Sequence, residues 1–271
     1  MIERKITIDT DNQPLIDALA GATNLSKQSL KSALDKGCVW LKTGKKINRI
    51  RRIKKPLKIG NEVFIYFNEK ILSSIPSQPT LLLDKKSYSI WFKPAGIFSQ
   101  GSKWGDHCAL TRLVEKKLDR PTFLVHRLDR ATSGIMMVAH TKHAAKDLSK
   151  IFADRKINKT YLAIVEGGFS NKTLTIDENI DGKNAISHAT LLKTLDNKSL
   201  LKVNIETGRK HQIRKHLSHI GYPIIGDRLH GNAVKNHPED LQLQAIQLEF
   251  NCPIDQQFIQ IELDDKMKIR L

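Results

Sequence analysis

Residues 124–134, Leu-Val-His-Arg-Leu-Asp-Arg-Ala-Thr-Ser-Gly, place one carboxylate, Asp129, on a polar turn between Arg127 and Arg130. An apolar strand runs into this turn, and a second apolar strand, 135–139, runs out of it. A loop carboxylate with cationic neighbours is expected to stay ionised at neutral pH, which suits a nucleophile or a base better than a general acid. The same residues also make an ordinary Asp/Ser/Thr turn whose side chains bond the backbone. Spacing alone leaves both readings open.

A second polar run, 206–221, reads as a helix in which Ile213, Leu217 and Ile220 share one face and Arg214 turns toward an adjacent edge. Gly208 and Gly221 bracket it. A basic helix N-terminus can grip phosphate through free N–H groups and through Arg209 and Lys210; the plain alternative is an amphipathic surface helix. Histidines gather here, with His211, His216 and His219 joined by His140 and His143 upstream. His211 and His216 stand five apart, which does not align two ligands on a helix as four would, and no acidic or cysteine ligand accompanies them at a recognised spacing. No metal site is expected. No phosphate-cradling glycine loop or dinucleotide fingerprint occurs either, which argues against a nucleotide cofactor.

These residues must be positioned by the elements around them. Periodicity predicts strands over 88–92, 122–126, 134–139, 159–165, 188–195, 200–206, 241–250 and 257–263, with helices over 109–118, 142–152 and 210–220. Neighbouring strands joined by short turns, with few helical crossovers, imply an α+β fold: a largely antiparallel mixed sheet with flanking helices.

A Ser/Pro linker over 73–79 separates that part from a smaller one, giving domains 1–75 and 76–271. In the smaller part, Leu15, Ile16, Leu19 and Ala20 recur at helical spacing, Ser26 is placed to cap a second helix, and 39–41 and 62–67 read as strands around a basic turn. The chain of 271 residues carries 45 Lys+Arg against 28 Asp+Glu, a net charge of +17, which favours a polyanionic partner, nucleic acid before membrane. Residues 1–75 hold 15 Lys+Arg and 7 Asp+Glu, so the small part is the more densely basic. Its basic run, 42–58, contains no acidic residue but is interleaved with Ile47, Ile50, Ile53 and Leu57, as a folded surface would be; Arg49, Arg51 and Arg52 are its candidate RNA contacts. No apolar run approaches the roughly 18 to 20 residues that span a bilayer. The N-terminus lacks a secretory stretch, and the three cysteines have no paired spacing, so a cytoplasmic, soluble protein is expected. With no dimerising heptad in view, the expectation is a monomer.

The order of elements in the small part resembles the αL RNA-binding motif, although Pro14-Leu15-Ile16-Asp17 stands where Arg-Leu-Asp usually opens the first helix. HRLDRATSG at 126–134 and TGRKHQIRKHLSHIGYPIIGD at 207–227, with FKPAG at 92–96 and KTYLAIVEG at 159–167, strongly resemble the RluA-type pseudouridine synthases in the same order. The resemblance implies that Asp129 is the catalytic aspartate, Tyr161 the active-site tyrosine and Arg214 the basic partner that holds Asp129 ionised. It also implies that Arg127 supports the position vacated by the flipped base. The implied reaction isomerises uridine within RNA without metal or other cofactor, with ribosomal RNA favoured over transfer RNA. Ala131, Ile135, Met136 and Met137 depart from the family conservatively. His230 replaces the tyrosine of the more usual Leu-Tyr-Gly, a change expected to touch only a peripheral contact. Two rivals stay open here: a catalytically idle RNA-binding or ribosome-assembly factor of the same fold, and a metal-dependent nuclease using the histidines.

Overall fold

In the computed structural model, which describes residues 1–52 and 57–271, the chain divides into two units. One comprises Met1–Pro76 with Gln100–Lys117, the other Ser77–Ser99 with Leu118–Leu271. The Ser/Pro linker thus marks the first crossing, but the chain returns once, and 100–117 packs with the N-terminal residues rather than with 76–271. Ile53, Lys54 and Lys55 of the basic run lie outside the described residues.

The first unit contains β1 (Ile2–Thr7), α1 (Leu15–Thr23), α2 (Lys27–Asp35), β2 (Val39–Thr43), β3 (Lys46–Ile50), β4 (Glu62–Phe67) and the short α3 (Glu69–Leu72); the returning segment adds most of α4 (Leu110–Leu118). Ser26 caps α2 by accepting a hydrogen bond from the Ser29 N–H at 3.1 Å. The strands form an antiparallel sheet in the order β1-β4-β2-β3. Its inner face, with Val39, Val63 and Ile65, is buried against Leu19 and Leu30 of the helices.

Alternation puts Trp40, Arg49 and Tyr66 on the other face, and 100–117 covers it. The Trp40 indole donates to the Lys103 carbonyl at 3.1 Å, and Trp104 packs edge-on against Tyr66 with centroids 5.7 Å apart. Arg49 lies over the Trp40 ring at 4.6 Å and pairs with Asp106 at 2.6 Å; Arg51 pairs with the same carboxylate. Within the stretch read as a basic turn, Lys46–Ile50 thus forms an edge strand, β3, and Arg49 and Arg51 are held internally.

The second unit contains β5 (Thr80–Asp84), β6 (Tyr88–Lys93), β7 (Phe123–Leu124), β8 (Ser133–Ala139), α5 (Lys142–Ala153), β9 (Ile157–Glu166), β10 (Thr173–Asp177), β11 (Ile186–Leu195), β12 (Lys198–Ile205), α6 (Gln212–His219), β13 (Leu243–Asn251) and β14 (Phe258–Glu262). They build one sheet in the order β10-β11-β12-β9-β13-β8-β6-β5, with β14 paired to β13 and β7 to β8. Every pairing is antiparallel except β13 with β8. This is the expected α+β class. On one face, Leu148 and Ile151 of α5 pack on Ile90, Ile135, Met137, Leu162 and Phe250. Because Leu162 joins that core, its neighbour Tyr161 points to the opposite face.

The parallel crossing positions the site. Ala245 of β13 pairs with Gly134 of β8 on one side and Tyr161 of β9 on the other, so the turn carrying Asp129 enters the sheet beside Tyr161. The backbones approach so closely that a Cβ on Gly134, whose φ is +117°, would lie 2.1 Å from the Ala245 carbonyl oxygen. Gly134→Ala is expected to destabilise the protein by roughly 3 kcal/mol or more, measured by urea denaturation; a loss under about 1 kcal/mol, within the range of an ordinary substitution, would show that the crossing can relax.

Candidate active site

α6 supplies the basic partner of the turn. Its N-terminal approach is organised by Gln212, whose amide oxygen accepts from the Thr207 hydroxyl at 2.6 Å and the Arg209 N–H at 3.0 Å, while its amide nitrogen donates to the Ile186 carbonyl at 2.9 Å. His216, one turn on, bonds Ser187 and the Glu178 carbonyl, each at 3.0 Å. Both contacts tie α6 to the β11 side of the sheet. The helix starts at Gln212 rather than at 210 because His211 precedes it in a left-handed conformation, φ 57°.

Arg214 is buried rather than at an edge. Its Nε and Nη2 donate to both oxygens of Asp227 at 2.8 and 2.7 Å, and its Nη1 donates to Asp129 Oδ2 at 3.3 Å. Asp227 also accepts the N–H groups of Leu229 and His230, at 2.9 and 3.0 Å. Burial alone would raise the Asp227 carboxyl, but the Arg214 fork and the two N–H groups outweigh it and hold its pKa at about 2. Asp227 follows Gly226, which has a φ of +76° and where a Cβ would lie 2.3 Å from the Asp240 carbonyl oxygen.

The Asp129 turn is held by backbone contacts on both sides. The Ser99 hydroxyl donates to the Leu128 carbonyl at 2.6 Å and accepts its N–H at 3.0 Å. The fully buried Lys93 donates to the carbonyls of Pro94, Ile97 and Arg130 at 3.0, 3.1 and 3.4 Å. Burial pushes the Lys93 amine down to about 7, against the pull of the Asp129 charge. Upstream, His126 accepts the Met137 N–H at 2.9 Å and stacks on Phe152, so burial keeps its imidazole neutral, with a pKa of about 3. The Asp129 carboxylate faces Arg214 and, 3.6 Å away, His211.

Asp129, Arg127, Tyr161, Arg214, Arg209 and Lys210 line one cavity of about 360 Å³, a size typical of small-ligand sites. Arg127 and Lys210 are exposed at it, and Arg209 donates to the Asn184 carbonyl at 3.0 Å. Burial, reinforced by the Asp129 charge, raises the Tyr161 phenol well above its ordinary value. Arg49, Arg51 and Arg52 belong to the first unit. Sequence reasoning passed over Asp227, Lys93 and Gln212; only the Gly-Asp pair at 226–227 signalled a constrained turn, and nothing signalled what it clamps. His230, expected to touch only a peripheral contact, places its Nε2 2.7 Å from Nδ1 of His211, which lines the cavity. Among the described residues, no group of three or more His, Cys, Asp or Glu is arranged to hold a metal ion, and no helix is long and apolar enough to cross a membrane.

Replacing Asp227 with Asn leaves a buried guanidinium without its main counter-charge, an expected cost of about 3 to 5 kcal/mol in urea denaturation at pH 7. Because the folded-state pKa of Asp227 is depressed, its contribution is complete above about pH 4 to 5 and is lost as the pH falls toward 2. The stability difference between wild type and Asp227→Asn should shrink across that window; a constant difference would remove Asp227 from the linkage.

Comparison with known proteins fits this geometry. Residues 87–219 match the family model described as RNA pseudouridylate synthase. An uncharacterized RNA pseudouridine synthase of Helicobacter pylori (strain J99) is 33% identical over 213 residues, covering 70% of this chain and 68% of its own. The ribosomal large subunit pseudouridine synthase D of Zymomonas mobilis is 37% identical over 139 residues, covering 46% of this chain and only 44% of its own length. The solved structure of human RNA pseudouridylate synthase domain containing 1 shares the fold, with a TM-score of 0.61 at 22% identity, over 71% of this chain and 86% of that one. With motif order, matched residues and fold in agreement, the chain belongs to the RluA-type family of RNA pseudouridine synthases, which are isomerases.

Proposed function

We propose that the chain converts uridine to pseudouridine within RNA, with Asp129 as its catalytic carboxylate and ribosomal RNA as its substrate class. The observation that carries this reading is the fixing of Asp129 in a nucleobase-sized cavity by an arginine that is itself clamped by Asp227. The target uridine leaves its stack to enter that cavity, and Arg127, exposed at the cavity, supports the vacated position. Tyr161 gives the uracil a ring to stack on and presents a neutral phenol. In the reaction the bond from ribose C1′ to N1 breaks, the uracil turns, and a bond from C1′ to C5 forms. The C5 proton is released and N1 takes one up, so atoms and charge balance without a co-substrate. The relatives named ribosomal large subunit pseudouridine synthase D support ribosomal over transfer RNA. Every residue lining the cavity comes from one unit of one chain, which supports action as a monomer.

Release of tritium from RNA labelled at uracil C5 tests the assignment. Asp129→Asn should lower the rate by a factor on the order of 10³ or more, with the far-ultraviolet spectrum of the wild type retained. Turnover at the wild-type rate would remove Asp129 from the chemistry.

RNA contact by the first unit belongs to the same proposal, with a change of residues. Arg49 and Arg51 are engaged with Asp106, whereas Lys45, Lys46 and Arg52 are exposed. Changing these three to Gln should lower the slope of log Kd against log salt by about 2 to 3, at roughly 0.7 to 0.9 for each phosphate no longer neutralised. An unchanged slope would make this strand a solvated edge.

A further inference from the structure

His211 and His230 meet at the site, Nδ1 of the first lying 2.7 Å from Nε2 of the second, with ring centroids 4.9 Å apart and edge to face. A contact this short between two neutral imidazoles holds one proton, so one ring donates and the other accepts. The other nitrogen of His211, Nε2, lies 3.6 Å from Asp129 Oδ2. A lone pair there would be repelled by the carboxylate, whereas an N–H is attracted. Asp129 therefore favours the tautomer of His211 that carries its proton on Nε2, and His230 must then donate from its own Nε2 to His211 Nδ1.

We propose that His230 is a positioning residue that fixes this tautomer, aims the His211 N–H at Asp129, and makes turnover depend on the protonation of the histidine pair. The proposal rests on the assignment of Asp129 above.

Both rings are set by the backbone. His230 follows from the Asp227 clamp, since its N–H donates to Asp227 Oδ1 and the next N–H, of Gly231, donates to the Asp227 carbonyl at 3.1 Å. His211 is held in its left-handed conformation at the start of α6. The charged groups facing His211 are Asp129, which favours its protonation, and Arg214 and Lys210, which oppose it, as does His230. Those facing His230 are Asp227 and Asp129 in favour, and Arg214 and Lys215 against. Burial acts first on each ring and keeps both below the ordinary histidine value. The pair is thus neutral near pH 7.5 and takes up a proton on acidification. That proton enters at His230 Nδ1 and, as the shared proton passes from His230 Nε2 to His211 Nδ1, places a second cation beside the carboxylate that Arg214 already holds, so turnover falls on the acid side. A further proton sets two N–H donors face to face and breaks the contact.

Two measurements test this on the full chain. Nitrogen-15 NMR of the RNA-free protein at pH 8 reads the His211 tautomer directly. The proton should reside on Nε2 in the wild type and in His230→Gln, whose amide N–H keeps a donor, and the tautomers should mix in His230→Phe. In tritium release at pH 7.5, His230→Phe should lose about threefold to tenfold, the rate equivalent of one hydrogen bond's net contribution, and His230→Gln should recover most of it. The acid limb should move to higher pH in both variants, because the ring that opposes protonation of His211 is gone. A wild-type His211 protonated on Nδ1 at pH 8 would overturn the proposal, as would a His230→Phe pH profile that superimposes on the wild type. If the wild type released no tritium from any RNA, the assigned activity would fail instead, and the tautomer measurement would still decide whether His230 orients His211.

Discussion

A guanidinium can be buried only if its N–H groups find acceptors and its charge finds an opposite, since either omission costs several kcal/mol. Arg214 meets this demand unequally. Two of its nitrogens form a fork on Asp227 with contacts of 2.7 and 2.8 Å, and a third reaches Asp129 at 3.3 Å. The tight pair is structural and the loose one is available. Asp227 is almost wholly withdrawn from solvent, with 1% of its side chain exposed, whereas Asp129 keeps 28%. The arginine is thus anchored by the carboxylate that cannot reach the cavity and presented to the one that can. Bidentate geometry matters here, because a lysine would hold Asp227 as a point charge and leave the direction toward Asp129 undefined.

The same chemistry recurs in the first unit to a different end. Asp106 binds Arg49 and Arg51 together, and Arg49 also lies over Trp40. Charge that reads in the sequence as an RNA-facing surface is partly consumed in holding 100–117 on the outer face of the small sheet. Lys42 and Lys5 are likewise engaged with Glu62. The net charge of +17 therefore overstates the number of cations free to meet phosphate; within the described part of the basic run, Lys45, Lys46, Arg52 and Lys58 are the exposed ones.

What the sequence discloses follows from how local each signal is. The strands at the middle of the large sheet are legible because they are buried and apolar, as Tyr88–Lys93 and Ser133–Ala139 show. The strands that escaped, β1, β3, β5 and β10, stand at the ends of the strand orders of the two sheets. An edge strand has one neighbour and tolerates charge, so β1, β3 and β10 carry no continuous apolar run, while the three leucines of β5 are too short a run for periodicity to mark as a strand. The candidate site divides in the same way. Asp129, Tyr161 and Arg214 stand in motifs that resemblance makes visible, and the structure brings them to one cavity. Asp227 meets Arg214 13 positions away, Lys93 reaches Arg130 across 37 and Gln212 reaches Ile186 across 26, and Asp106 meets Arg49 across more than fifty, spacings that no helical or strand period records.

The open choice at Asp129, catalytic carboxylate or ordinary turn residue, shows what geometry adds to motif. In a plain Asx turn the carboxylate would bond the local N–H groups, and the turn would depend on it. Here Ser99 and Lys93 satisfy the backbone of Leu128 and Arg130 on either side of Asp129. The backbone contacts shape the turn, and the Asp129 carboxylate faces Arg214 and His211 instead. A side chain relieved of structural duty and aimed by two cationic or titratable groups is adjustable at a fixed backbone. The same separation holds at His230. Its N–H serves Asp227 whatever the side chain is, while its ring reaches the part of the arrangement that is free to respond.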